Sequence, residues 1–157
     1  SCLNMPNAEV TAISYNENRE GVPSCAVTCL ATVARYATKS GNRFFVPLNP
    51  LKGVSQLPAG DDRRTDVVIK SGAVYVDNVE IVLPDGFMVE SLLQPVNISS
   101  SIASFEVDAV QEGNVIRISQ KLSFNKGRYS KELYAELRSV VKALYDVSAS
   151  KVVVRKQ

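Results

Sequence analysis

Few residues in this sequence could do chemistry. Cys25 and Cys29 stand at C-x3-C spacing, and Cys2 lies near the start. A thiolate nucleophile needs a neighbouring base or a positive environment. The sequence has no histidine. That removes a Ser-His-Asp triad, a Cys-His dyad and any His-bearing zinc site from within this chain. C-x3-C also differs from the C-x2-C of zinc ribbons and thioredoxin-like redox sites. On a strand, positions i and i+4 share a face but stand about 13 Å apart. A disulfide needs Cα atoms within about 7 Å. On a helix the two thiols would be neighbours, so the question turns on secondary structure. The strand reading makes both cysteines small core residues, and reduced, buried thiols are expected.

Carboxylates are the other candidates. Asp61, Asp62 and Asp66 lie close together in sequence. Paired carboxylates can do general acid–base work, and oxygen ligands can hold calcium. Yet Asp61-Asp62-Arg63-Arg64 lacks the D-x-D-x-D-G spacing of a calcium loop, and the arginines oppose a cation. It reads as a solvated, self-neutralising turn. Ser99, Ser100 and Ser101 have no G-x-S-x-G elbow around them. Asn97-Ile98-Ser99 matches the N-glycosylation triplet, which matters only in a secretory context. Neither nucleotide-binding glycine motif is present. No catalytic, cofactor-binding or metal-ligating residue is therefore expected, and no cofactor.

Bulk properties agree. The chain has 157 residues, 18 basic against 16 acidic, and a net charge of +2. That length argues for one domain, two at most, able to bury roughly 68–70% of its unfolded surface. A single domain over 1–157 is expected, with 1–22 serving as a linker or a first strand. Lys and Arg are scattered, which does not suit a nucleic-acid partner. No stretch reaches the ~18 apolar residues of a membrane span. The start has neither a basic n-region nor an apolar h-region, so no intact signal peptide is expected. Cys2 could mark a lipoprotein processing site, against the simpler reading of an ordinary cysteine.

The elements that must position any site are mostly strands. Ile116, Ile118, Gln120, Leu122 and Phe124 alternate with Arg117, Ser119, Lys121 and Ser123. That is period-2 patterning with one buried face. Phe105, Val107 and Ala109 alternate likewise, and Glu112-Gly113-Asn114 between the runs predicts a hairpin. Gln120, on the apolar face, needs a buried partner or an edge position. Val67–Lys70, Ala73–Val76, Val79–Leu83, Phe87–Glu90 and Phe44–Val46 read as further strands, with Pro84-Asp85-Gly86 as a turn. Ala26–Lys39 is rich in Val and Thr and reads as one long strand of a hairpin through Ser40-Gly41-Asn42-Arg43. Asn49–Asp66 reads as a loop crossing between sheets. Leu133, Leu137, Val140, Val141 and Leu144 form one helical stripe. Ser130 is its expected N-cap, and Glu132, Glu136, Arg138 and Lys142 complement the dipole. Lys151–Arg155 reads as a last strand. Together these predict a mainly β fold: an antiparallel β-sandwich of about 7–9 strands with one C-terminal amphipathic helix.

Several segments, taken in order, resemble the C-terminal β-sandwich domain of bacterial transglutaminase-like proteins, a domain of unknown function. They are Asn42–Pro50, Arg63-Arg64-Thr65-Asp66-Val67, Ile81–Glu90, Gly127-Arg128-Tyr129 with Tyr134–Arg138, and Lys151–Val154. The similarity covers roughly 26–157. Leu92-Leu93-Gln94-Pro95 departs from the family's tighter Leu-Pro. The resemblance implies an accessory domain beside an upstream transglutaminase-like, cysteine-protease-type catalytic domain of the same polypeptide. It also implies an extracytoplasmic location, periplasmic or at the cell surface. The family's catalytic Cys, His and Asp belong to the preceding domain, and no residue here matches them. The competing expectations are a free-standing module binding cell-surface glycan or peptide, marked by a cluster of exposed aromatics, and an enzyme using carboxylates alone, marked by two converging in a cleft.

Overall fold

A computed structural model describes residues 7–48, 54–59 and 63–157. Cys2, Asp61 and Asp62 lie outside the described residues, so the lipidation and acidic-turn readings are not addressed there. The chain divides into two compact units, Ser1–Tyr36 and Ala37–Gln157.

The first unit is a hairpin of β1 (Ala8–Asn18) and β2 (Ser24–Val33). Its antiparallel register runs from Ala8 opposite Val33 to Asn18 opposite Ser24, with a bulge at Thr11. The Thr11 hydroxyl donates to the Leu30 carbonyl at 3.1 Å. At the tip, the Glu20 amide donates to Asn18 Oδ1 at 2.9 Å. Alternation puts Val10, Ile13 and Tyr15 on one face with Val27, Cys29 and Ala31, and Glu9, Ser14 and Asn16 on the other.

The second unit contains β3 (Thr38–Ser40), β4 (Arg43–Pro47), β5 (Val67–Ile69), β6 (Ala73–Val82), β7 (Phe87–Ser91), β8 (Val96–Ser99), β9 (Ala103–Glu112), β10 (Val115–Phe124), β11 (Gly127–Tyr129) and β12 (Lys151–Lys156). A 3-10 turn, Lys131–Leu133, leads into α1 (Tyr134–Ala149). Two four-stranded antiparallel sheets, ordered β6-β10-β9-β8 and β3-β4-β12-β7, form the body, and β11-β5 is a short separate ladder. The expected sandwich is thus built on eight strands, with the C-terminal helix beside them.

The β9–β10 hairpin matches its sequence pattern. Val115 pairs with Glu112, and Gly113 takes φ +61, a conformation that strains other residues. The run expected over Val79–Leu83 continues from Ala73–Val76 as one ten-residue strand, β6, which ends at Val82 in unbroken register with β10. Pro84–Gly86 then carries the chain into the other sheet, since β7 pairs with β12. The Phe87 amide donates to the Pro84 carbonyl at 3.3 Å, and Gly86 has φ +80.

The core belongs to this unit. Phe105, Ile116 and Ile118 from one sheet, Val46, Val152 and Val154 from the other, and the helix stripe join a single buried cluster. Helix α1 packs against β8 and β9 and buries Tyr134, Leu137, Val140, Val141, Leu144 and Val147.

Four expectations are corrected. Ala26–Lys39 is two strands: β2 ends at Val33, Arg35 takes φ +57, and β3 begins at Thr38. A non-glycine residue in the left-handed region ends a strand, and β2 and β3 pair with different partners. Ser130 does not cap α1 with its side chain; it precedes the 3-10 turn. Its hydroxyl bonds Glu132 instead, whose carboxyl is held below its usual range first by its own backbone amide and then by Ser130. The last helical turn carries no basic residue; Arg138 and Lys142 lie further in, and Lys142 pairs with Asp146. The cysteines are not buried: Cys25 is exposed and Cys29 half-exposed. A two-stranded hairpin has no second layer of its own to cover them.

Candidate functional site

The outward face of β6-β10-β9-β8 holds the residues with the greatest capacity for binding. Register alone sets its rows. Ser119 on β10 lies opposite Asn78 on β6 and Asp108 on β9. Arg117 lies opposite Glu80 and Val110, and Lys121 opposite Val76 and Glu106. Glu106 in turn faces Asn97 on β8. Short polar side chains in the middle row, flanked by long charged ones, make a trough across the strands. Two clefts open along it, of about 460 Å³ towards Asn97 and Lys121 and about 470 Å³ towards Arg117 and Glu112. Asn78, Asp108 and Ser119 line both.

The charges of the walls are spent on each other. Arg117 Nε donates to Glu80 Oε2 at 3.1 Å, and its Nη1 bonds the Glu112 carboxylate. Lys121 Nζ lies 3.9 Å from Glu106 Oε1. These pairs are exposed, where such contacts are worth about 0–1 kcal/mol. Asp108 Oδ1 accepts from the Ala109 amide at 2.8 Å. The trough therefore offers an amide, a hydroxyl, a carboxylate and apolar walls of Val76 and Val110. That set can hydrogen-bond a polar ligand.

The residues singled out by sequence are dispersed. Asp66 Oδ2 accepts from Arg128 Nη1 at 3.1 Å, an ion pair between the start of β5 and β11. Arg63 stacks over the Tyr134 ring at 4.6 Å and donates to the Thr65 and Asp66 carbonyls. Ser100 is a turn residue: its Oγ accepts from the Ile102 and Ala103 amides at 3.3 and 3.2 Å. Among the described residues no group of three or more Cys, Asp or Glu gathers as a metal site. The exposed tyrosines among the described residues are Tyr15 on β1, Tyr36 between β2 and β3, and Tyr75 on β6, and none of them lines the trough. Only Asn97, from the glycosylation-type triplet, lies at the trough. Sequence reasoning missed the Asn78-Ser119-Asp108 row. Its members are far apart in the chain, and the only signal is the register of β6 on β10.

Comparison with known proteins adds a relationship to this geometry. No curated protein matches the chain. Among solved structures it is similar to a crystal structure described as a "putative protease" from Parabacteroides distasonis ATCC 8503, at 14% identity and a TM-score of 0.52. The likeness covers 60% of this chain and 19% of that one, so this fold spans about a fifth of the longer protein. At that identity it is a likeness of fold. The model of a domain of unknown function, DUF3858, matches residues 42–154. That span takes in both four-stranded sheets apart from β3, together with the helix, so the chain belongs to the DUF3858 family.

Proposed function

We propose that this chain is a non-catalytic accessory domain of a larger hydrolase, supporting a catalytic domain on the same polypeptide or presenting substrate to it. The observation that carries the reading is the share of the fold: a β-rich unit like this one occupies about a fifth of a structure described as a putative protease. The chemistry within the chain agrees, since it has no histidine and its wall carboxylates are bound in exposed ion pairs. The finer form of the proposal makes the catalytic domain transglutaminase-like and the location extracytoplasmic, from the ordered segments Asn42–Pro50, Ile81–Glu90 and Tyr134–Arg138. The test assays residues 1–157 for peptidase and amidase turnover, beside the polypeptide that carries the catalytic domain. The isolated chain is expected to be silent, and removal of 37–157 from the longer polypeptide to impair its activity. Turnover by the isolated chain that a point change abolishes would defeat the reading.

The trough favours a second reading, a module for a polar polymer such as a glycan or an extended peptide. An aromatic platform on it would have strengthened that reading, and the described residues hold none. Glycan-array and peptide-library binding lost in Ser119→Tyr would support it. Silence on both would remove it.

A further inference from the structure

We infer that the free edge of β6 is a docking site for an extended, basic peptide, which joins the four-stranded sheet as a further strand; this rests on the binding-module reading and names peptide as its ligand class. Ladder parity sets the edge. The Leu83 amide donates to the Asn114 carbonyl at 2.8 Å, and the register runs unbroken from Val82 opposite Val115 to Ala73 opposite Phe124. Bonded and non-bonded pairs alternate in an antiparallel ladder. Ile81, Val79, Asp77, Tyr75 and Ala73 therefore bond β10. Val74, Val76, Asn78, Glu80 and Val82 turn their amides and carbonyls the other way. Within Ala37–Gln157 no described strand pairs with that side. The same five residues stand on the outward face, where Val74, Val76 and Val82 are 63%, 59% and 61% exposed.

The other sheet edges of this unit carry the usual defences against an added strand. β3 has three residues, β8 has four behind Pro95, and β7 is bulged. β6 has ten residues, without Pro, Gly, Lys, Arg or a bulge. Charge selects the occupant. The two clefts beside β6 are lined by the carboxylates Glu80, Glu106, Asp108 and Glu112 against the cations Arg117 and Lys121, although the chain as a whole is net positive. Asp77 adds an inward-pointing carboxylate in mid-strand. A second copy of β6 suits this edge poorly. With Asn78 opposite Asn78, the register of fullest overlap, the two Asp77 side chains come diagonally together on one face, about 7–8 Å apart. Neither β1 nor β2 carries a cation. An incoming strand with Lys or Arg opposite Glu80 meets a charge of the other sign at about 4.5–5.5 Å between Cβ atoms, and apolar residues opposite Val74, Val76 and Val82 cover the open valines.

The probe is a capped peptide with Val, Lys, Thr, Val and Val at alternate positions and Thr between them, set to run antiparallel from Val82 to Val74. It is titrated into the isotope-labelled 157-residue chain, and amide exchange is read residue by residue by NMR. In the free chain the amides of Val74, Val76, Asn78, Glu80 and Val82 are expected to exchange freely, and those of Val79 and Ile81 slowly. The peptide is expected to slow the first set about tenfold or more. N-methylation of the peptide residue opposite Val76 is expected to abolish binding, because that amide faces the edge. N-methylation of the next residue, whose amide faces outward, is expected to retain it. Exchanging the peptide's Lys for Glu should weaken binding about fivefold, and Glu80→Lys in the chain should reverse the preference. Edge amides already slow in the free chain overturn the inference; dependence on concentration then assigns the edge to a second copy, and its absence to the chain itself. Binding indifferent to the sign of the peptide's charge overturns it too. Binding that shifts Ser119 and Asp108 but leaves edge exchange unchanged, or that survives both methylations, overturns the edge site and leaves the binding-module reading standing. No peptide binding overturns the inference, and a glycan-array signal would then keep that reading for glycan alone.

Discussion

Gln120 shows what a single residue can and cannot disclose. Its place on an apolar face demanded a partner, and the structure supplies one: Nε2 donates to Asp77 Oδ2 at 2.9 Å, half-buried, on a central strand rather than an edge. The need was legible because a buried amide without a bond is costly. The partner was not, because it arrives from β6 through a long-range pairing. A hydrogen bond to a charged group contributes about 1.5–3 kcal/mol when buried and less when half-exposed. Gln120→Ala is therefore expected to lower unfolding free energy by about 1–2 kcal/mol in urea titration. An unchanged midpoint would show that the pair is idle. Cys25 and Cys29 failed in the opposite direction. The strand reading suggested burial, but exposure depends on whether a second layer exists, which no local pattern encodes.

Helix and strand patterns were the most readable level, and their errors have physical causes. The α1 stripe is buried as its spacing required, with Leu137 only 7% exposed. Leu137→Ala should cost roughly 2–5 kcal/mol, read by denaturant unfolding, because it empties a core position against β8 and β9. A loss below about 0.5 kcal/mol would place the stripe elsewhere. The break at Arg35 was hidden because strand-prone residues stand on both sides of it, Thr32 and Val33 before and Tyr36 and Thr38 after. Strand β7 holds a device that sequence could not reveal. Arg43 on β4 lies opposite Arg155 on β12, a like-charge pair. A bulge in β7 leaves Glu90 without a ladder partner, and its carboxylate takes Arg43, Nε to Oε2 at 2.7 Å. The Arg43 bond, with lesser help from Arg155, holds the Glu90 carboxyl below its usual range. A carboxyl lowered by folding stabilises the fold above its unfolded pKa, and that contribution is lost as pH falls through the folded value. Stability should thus decline as pH drops below about 4.5. Glu90→Gln should flatten this part of the profile. A profile identical to that of the unsubstituted chain between pH 5 and 3 would refute the coupling.

The whole chain is less uniform than its composition suggested. Ordinary hydrophobic content and length fit one domain, yet the buried core residues all lie between Val46 and Val154, inside the second unit. The hairpin of the first unit contributes none of them among the described residues. Sheet pairing, order β6-β10-β9-β8 and β3-β4-β12-β7, closes without β1 or β2. Folding free energy follows buried apolar area, at roughly 25 cal/mol per Å². A chain beginning at Ala37 should therefore keep almost all of it. We expect residues 37–157 to unfold in one cooperative step, within about 1 kcal/mol of the longer chain. The denaturant slope should fall only in proportion to the small surface the hairpin exposes on unfolding. If truncation instead broadens the transition or lowers stability by several kcal/mol, the hairpin is part of the cooperative fold. Equilibrium urea unfolding of both chains, followed by far-ultraviolet circular dichroism and by tyrosine fluorescence, separates these outcomes. The Ala37–Gln157 unit retains Tyr75, Tyr129, Tyr134 and Tyr145 as reporters of its own core and surface.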